Sequence, residues 1–199
     1  MVTMKKIATV CCMLGILISS NVSAENLYAG IDYMFFHWKG DDYSGKPPAV
    51  KLDFGYSVNK YFSVEAMYAF GTNKDEYYSS VSSTQFGDIY FTGKSKVKSL
   101  LGAGVVAKYP VDMVDFYGKA GYAKLKYTFS GDASVPAFGL QDTFSDDYSG
   151  SGIYYGVGAE INFGKNNAVL LEYIKLPKVD ADGITLKTTS INLGYRLSF

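Results

Sequence analysis

The chain has 199 residues with 19 basic and 19 acidic side chains, one histidine and a formal net charge of zero. That balance provides no basic excess to draw it to nucleic acid, and the length fits one domain without a linker. Aromatics are plentiful, 18 Tyr and 13 Phe against a single Trp.

The first predicted element is a leader. Lys5 and Lys6 form a short basic region, Ile7 to Ile18 is almost wholly apolar, and Val22-Ser23-Ala24 supplies small residues before a cleavage site. The pattern is that of a secretory signal peptide over residues 1–24, cleaved to leave a mature chain of 25–199 that starts at Glu25. About a dozen apolar residues are too few for a spanning anchor. Cys11 and Cys12 are the only cysteines and fall inside this segment. Ala8 stands where a lipoprotein signal wants a Leu-like residue, which argues against lipidation. The mature chain then has no thiol for a disulfide, a metal or a nucleophile. It also loses Lys5 and Lys6, so acids slightly outnumber bases. Its longest apolar stretch, about Leu100 to Ala107, is interrupted by Gly102 and Gly104 and cannot cross a bilayer as a helix.

Eight segments alternate with period two, the signature of strands with one apolar face. The first runs from about Asn26 to Trp38, with Leu27, Ala29, Ile31, Tyr33 and Phe35 on one face. The second, about Pro48 to Val58, sets Val50, Leu52, Phe54 and Tyr56 against Lys51, Asp53, Gly55 and Ser57. After Asn59-Lys60 the third opposes Phe62, Val64, Ala66, Tyr68 and Phe70 to Ser63, Glu65, Met67 and Ala69. The fourth, about Ser95 to Tyr109, carries Leu101, Ala103, Val105, Ala107 and Tyr109 outward, and Pro110 to Val114 makes a turn. The fifth, about Asp115 to Phe129, is rich in Gly and Ala and leaves its facing open. The sixth, about Gly152 to Phe163, turns through Gly164-Lys165-Asn166-Asn167 into the seventh, about Ala168 to Leu176. The eighth closes the chain: Ile191, Leu193, Tyr195, Leu197 and Phe199 alternate with Asn192, Gly194, Arg196 and Ser198.

Short turns alternate with longer loops at about Lys39 to Lys46, Asn73 to Lys94, Ser130 to Ser151 and Pro177 to Ile184. An even strand count with that alternation fits an all-β, eight-stranded antiparallel up-and-down transmembrane β-barrel. A soluble eight-stranded barrel would instead bury its apolar face inside. The minority face carries Asp32, Lys51, Asp53, Glu65, Lys108, Lys119, Glu160, Glu172 and Arg196. Facing lipid would cost Lys or Arg roughly 2–4 kcal/mol near the midplane, so these groups are expected to line the interior. In so narrow a lumen opposite charges should pair, because an unpaired buried charge costs on the order of 3–5 kcal/mol. A plug of ion pairs is the favoured expectation, a gated polar pathway the alternative.

Together, Ser63-Val64-Glu65-Ala66-Met67-Tyr68, Ala107-Lys108-Tyr109-Pro110, Tyr117-Gly118-Lys119-Ala120-Gly121, Leu171-Glu172-Tyr173 and Gly194-Tyr195-Arg196 to the terminal Phe resemble the OmpA-type transmembrane domain. The chain is similar, over its mature length, to the wider family of small eight-stranded outer-membrane proteins. The resemblance implies Gram-negative outer-membrane localisation, with periplasmic termini and long loops at the cell surface. It implies that Glu65, Lys108 and Glu172 belong to a lumenal charge network, and that Tyr195, Leu197 and Phe199 form the C-terminal signal read by the barrel-assembly machinery. No peptidoglycan-binding domain is expected after Phe199, so cell-wall tethering does not carry over. Small members linked with adhesion, serum resistance or colonisation are the nearer analogy.

Catalysis has one foothold. Small outer-membrane barrels include lipid A acyltransferases and deacylases that use Ser with His. The sole histidine, His37, could be approached by Asp75 and by Ser79 or Ser80, but no His-x-Ser motif accompanies it. A place for His37 and Trp38 in an aromatic girdle is the simpler expectation. Asp146-Asp147 would hold a hard cation only weakly. The protein is therefore expected to be a non-enzymatic monomer without cofactor or metal, in contact with outer-membrane lipid and lipopolysaccharide. A narrow porin-like pore is the alternative function. The loops would carry a surface-structural or adhesive role towards a host or matrix ligand. Tyr77, Tyr78, Tyr90 and Phe91, in a Ser/Tyr-rich loop, are the candidate contact surface, beside an acidic loop bearing Asp132, Asp142, Asp146 and Asp147.

Overall fold

The computed structural model describes residues 26–40, 43–84 and 87–199. The expected leader, residues 1–24, lies outside them. Eleven strands follow in chain order: β1 (Leu27–Lys39), β2 (Ser44–Gly45), β3 (Pro48–Ser57), β4 (Phe62–Gly71), β5 (Asp75–Thr84), β6 (Gly87–Val111), β7 (Val114–Val135), β8 (Leu140–Phe163), β9 (Asn167–Lys175), β10 (Val179–Ala181) and β11 (Ile184–Ser198).

Eight of these form a ring, β1-β3-β4-β6-β7-β8-β9-β11, every neighbour antiparallel. The ring closes where β1 pairs β11, from Tyr28↔Ser198 to Lys39↔Lys187. Closure leaves no free strand edge around the ring, which hydrocarbon demands because it offers no hydrogen-bonding partner. The outer face is apolar on all sides, with Ile31, Phe54, Leu101, Ile153, Val157, Leu171 and Ile191 each more than half exposed. Water-soluble monomers rarely expose a contiguous apolar surface of that extent, and lipid is the solvent that fits it.

At the terminal end the strands are joined by tight turns. Asn59 Oδ1 accepts the backbone N–H groups of Tyr61 and Phe62 at 2.8 and 2.9 Å, which sets the β3–β4 turn. The β6–β7 turn is shorter than expected: β6 runs through Pro110 to Val111, and Asp112 takes a left-handed φ of 53°.

At the opposite end three expected loops prove to be largely strand. Residues 75–84 form β5, which pairs the first half of β6 from Asp75↔Ser95 to Thr84↔Gly87. β7 and β8 stay paired from Val114↔Ile161 to Val135↔Leu140, and β10 pairs β11 through an Asp182-Gly183 turn with φ of 48° and 86°. β6, β7 and β8 have 25, 22 and 24 residues, about twice the 9–11 that a membrane crossing needs. β5 to β8 thus continue as a blade beyond the membrane. Sequence alternation fails there because the blade has neither a lipid face nor a sealed interior to impose it.

One irregularity reverses the facing of the first residues of the fourth expected strand, while Leu101, Val105 and Tyr109 face outward as expected. The β6–β7 register shifts between Val97 and Ser99, so Lys98 is bulged. Leu100, Gly102 and Val106 point inward after the bulge, whereas Ser95 and Val97 do so before it. A bulge inserts one residue and reverses the parity of everything beyond it. The facing left open in β7 is also resolved: Tyr117, Lys119, Ala123, Leu125 and Tyr127 are buried, while Phe116, Ala120, Tyr122 and Lys124 are exposed.

Candidate functional site

The inward positions of the ring meet in a compact group of charges near the terminal end. Lys51 Nζ lies 2.6 Å from Asp32, 2.9 Å from Asp53 and 3.0 Å from Glu172. Lys119 Nζ bridges Glu65 at 3.0 Å and Glu172 at 2.5 Å. Arg196 pairs with Glu65 at 3.2 Å and with Glu160, which also accepts from Lys108 at 2.5 Å. Lys108 is half-buried, and the other eight side chains are buried.

Three residues that alternation did not single out complete the group. The Tyr28 hydroxyl donates to Glu65 at 3.0 Å and the Tyr117 hydroxyl to Glu172 at 3.3 Å. Asn192 Nδ2 donates to Glu172 at 2.7 Å. The Arg196 guanidinium stacks 4.4 Å above the Tyr28 ring. Inward parity was the available signal, since Tyr28, Tyr117 and Asn192 share it with the charges. Glycines make the room: Asp32 lies across from Gly194, Asp53 and Arg196 flank Gly30, Glu65 lies between Gly55 and Gly104, and Glu172 is across from Gly158.

Five carboxylates thus face four cations. Apart from Lys51, neither Asp32 nor Asp53 has a hydrogen-bond partner among the described residues. Such a group can hold the wall together and fill the lumen. It presents no nucleophile paired with a base.

Above the charges the interior turns apolar, which polar/apolar alternation did not anticipate. Met34, Phe36, Met67, Leu100, Leu125, Tyr127, Tyr154 and Ile174 form one buried cluster. Burying side chains of this kind is worth roughly 1.5–3 kcal/mol each relative to water. Trp38 belongs to the cluster, donating from Nε1 to Ser95 Oγ at 3.0 Å. The girdle assignment is therefore corrected for Trp38: its even-numbered position on β1 turns it inward, and only His37 faces out. The Asp75 carboxylate accepts the backbone N–H of Lys46 at 2.6 Å, and no side-chain hydrogen bond joins His37 to Asp75, Ser79 or Ser80 among the described residues.

The loop end gathers a second set of side chains. Trp38, Tyr43, Tyr77, Tyr78, Phe129, Phe144 and Tyr148 surround a cavity of about 360 Å³, with Asp146 and Asp182 also in its wall. The rings meet edge to face, Trp38 with Tyr77 and with Phe129 at 5.3 Å, and Tyr43 with Tyr78 at 5.6 Å. Of the four candidate contact residues, Tyr77 and Tyr78 line this cavity. Tyr90 and Phe91 do not, lying exposed along the β5–β6 hairpin.

Asp146 and Asp147 are adjacent on a strand and point to opposite sides. Asp147 is engaged by Lys98 and by Thr128 Oγ1, and these hydrogen bonds hold its carboxyl below the usual range. Asp132 is lowered likewise by its 2.8 Å bond from Lys94. The Tyr148 hydroxyl donates to Asp182, which pushes its pKa up to about 12.

A closed antiparallel ring with an apolar exterior and charged interior defines a transmembrane β-barrel. Residues 9–199 match the family model described as "Outer membrane protein beta-barrel domain", and the chain belongs to that family. Membership places it in the Gram-negative outer membrane, among lipid and lipopolysaccharide. Among solved structures it is similar to neisserial surface protein A, with 15% identity over 89% of this chain and 98% of that one and a TM-score of 0.54. It is also similar to Ail, the attachment invasion locus protein of Yersinia pestis, with 22% identity over 87% and 99% and a TM-score of 0.50. No curated protein matches the chain in sequence.

Proposed function

We propose that this protein is a non-catalytic surface barrel whose loop end makes adhesive or structural contacts outside the cell, with its termini in the periplasm. The observation that carries this is the blade: β6 to β8 extend well past a membrane crossing and, with β5, present a broad paired surface there. The blade carries exposed Tyr78, Tyr90, Phe91 and Phe144, a composition suited to contact with a host or matrix ligand. The attachment named for the Yersinia protein belongs to that protein, and the blade of this chain is the independent support. Two layers across the lumen, ion pairs below and an apolar cluster above, support a barrel closed to solutes.

The test replaces residues 79–91 by a two-residue turn in cells that display the protein. Attachment to host cells or matrix-coated surfaces should fall to background while the folded form still migrates as a heat-modifiable band. Undiminished attachment would overturn the assignment to the blade. In planar bilayers the refolded barrel should be silent, and discrete reproducible channels would favour a pore.

A further inference from the structure

We propose that the aromatic cavity at the loop end binds an alkylated ammonium group, of the kind carried by choline and by phosphocholine headgroups. This deepens the loop-end function above and rests on that end being open to solution. Four separate parts of the chain supply the cavity: Trp38 from the end of β1, Tyr43 and Tyr77 from the β2–β5 region, Phe129 and Tyr148 from β7 and β8, and Asp182 from the β10–β11 turn. A chamber of about 360 Å³ is at the small end of the range for organic ligands.

Three features select a soft cation over a neutral hydrophobe. Seven of the thirteen lining residues are aromatic, beside Gly40, Ala181, Ile184 and Leu186, and an alkylammonium is attracted to aromatic rings without needing a hydrogen-bond acceptor. Asp146 and Asp182 are the charged residues of the wall, and no Lys or Arg lines it among the described residues. Three basic groups of this end are engaged elsewhere, Lys94 by Asp132, Lys98 by Asp147 and Lys74 by Ser130. Two carboxylates beside low-dielectric aromatic walls focus a negative potential on the chamber.

A hydrogen bond ties one acid into the wall: Asp182, in the Asp182-Gly183 hairpin turn, accepts the Tyr148 hydroxyl on its carboxylate. That bond fixes the acid against the wall and orients the Tyr148 ring. A small compact anion is disfavoured by the same charges, and a bare metal ion would find aromatic carbon where it needs a shell of oxygens.

The test uses the mature chain refolded in maltoside micelles, a detergent without a choline group, with folding checked by the heat-modifiable gel shift. Trp38 is the only tryptophan and lines the cavity, so its emission reports occupancy directly. Choline should change that emission saturably, and its uncharged tert-butyl isostere should bind at least tenfold more weakly, about 1.4 kcal/mol. The double variant Asp146→Asn with Asp182→Asn, at exposed positions, should lose most of that preference while its affinity for the isostere stays unchanged. Tyr77→Leu should weaken both. Glycerophosphocholine binding as tightly as choline would assign the site to a headgroup, and weaker binding to a free cation. Equal affinity for choline and the isostere would overturn the proposal, as would undiminished choline binding in the folded double variant. Because this assay is independent of cell attachment, its failure and the failure of the adhesive function are distinguishable.

Discussion

Lys51 concentrates the energetics of the barrel interior in one side chain. Three carboxylates converge on its ammonium within 3.0 Å, in a layer from which water is largely excluded. Removing one partner of a buried ion pair leaves an uncompensated charge, at a cost of about 3–5 kcal/mol. Lys51→Met should therefore destabilise the refolded barrel by about that amount in denaturant titrations followed through Trp38. Adding Asp53→Asn should recover part of the loss, because it removes one of the stranded charges. Lys98→Met, which breaks an exposed blade pair with Asp147, should leave the unfolding midpoint unchanged. Parity in the sequence separated Lys51 and its acidic neighbours from the apolar face. It could not say that Lys51 meets Glu172, 121 positions away, because that contact crosses the lumen between strands that are not neighbours in the ring.

At the scale of the strand, residue period and solvent must agree. Leu101 is 62% exposed on the outer face of β6 and pairs with Tyr68 well inside β4, so its side chain meets the hydrocarbon. Leu101→Lys should cost about 2–4 kcal/mol, and Tyr109→Lys, close to the β6–β7 turn, about 0–1 kcal/mol. Equal costs at both positions, measured by denaturant unfolding in the same micelles, would overturn this placement in the membrane. The same logic explains what was legible. Where one face met lipid, as in Phe62 to Phe70 or Ile191 to Leu197, alternation located the strand and its facing. Where both faces met water, as in Ser79-Ser80-Val81-Ser82 or Asp142 to Ser149, the chain still paired into strands but no pattern announced it. The bulge at Lys98 was invisible for a different reason, since one inserted residue leaves both flanking patterns intact.

For the whole molecule the decisive event is closure, the pairing of β1 with β11 along twelve residue pairs. Tyr195, Leu197 and Phe199 lie on the outer side of this last strand region and are exposed, while the Phe199 N–H reaches the Leu27 carbonyl at 2.9 Å. If these residues are read by an assembly machinery, deleting Phe199 should slow the appearance of the heat-modifiable form in cells by several-fold. It should leave the denaturant midpoint of the refolded protein nearly unchanged, as expected for an end residue with few buried contacts. An equal loss in both assays would assign Phe199 a purely structural role. By itself the sequence determined the number of strands in the ring, the order of short and long connections, and the lipid-facing residues, because lipid and lumen write a local period of two along each crossing. Only the tertiary structure decided the apolar cluster above the ion pairs and the aromatic cavity shared by distant loops. Those features depend on which residues the closed ring brings face to face, and no local pattern encodes a contact made across a barrel.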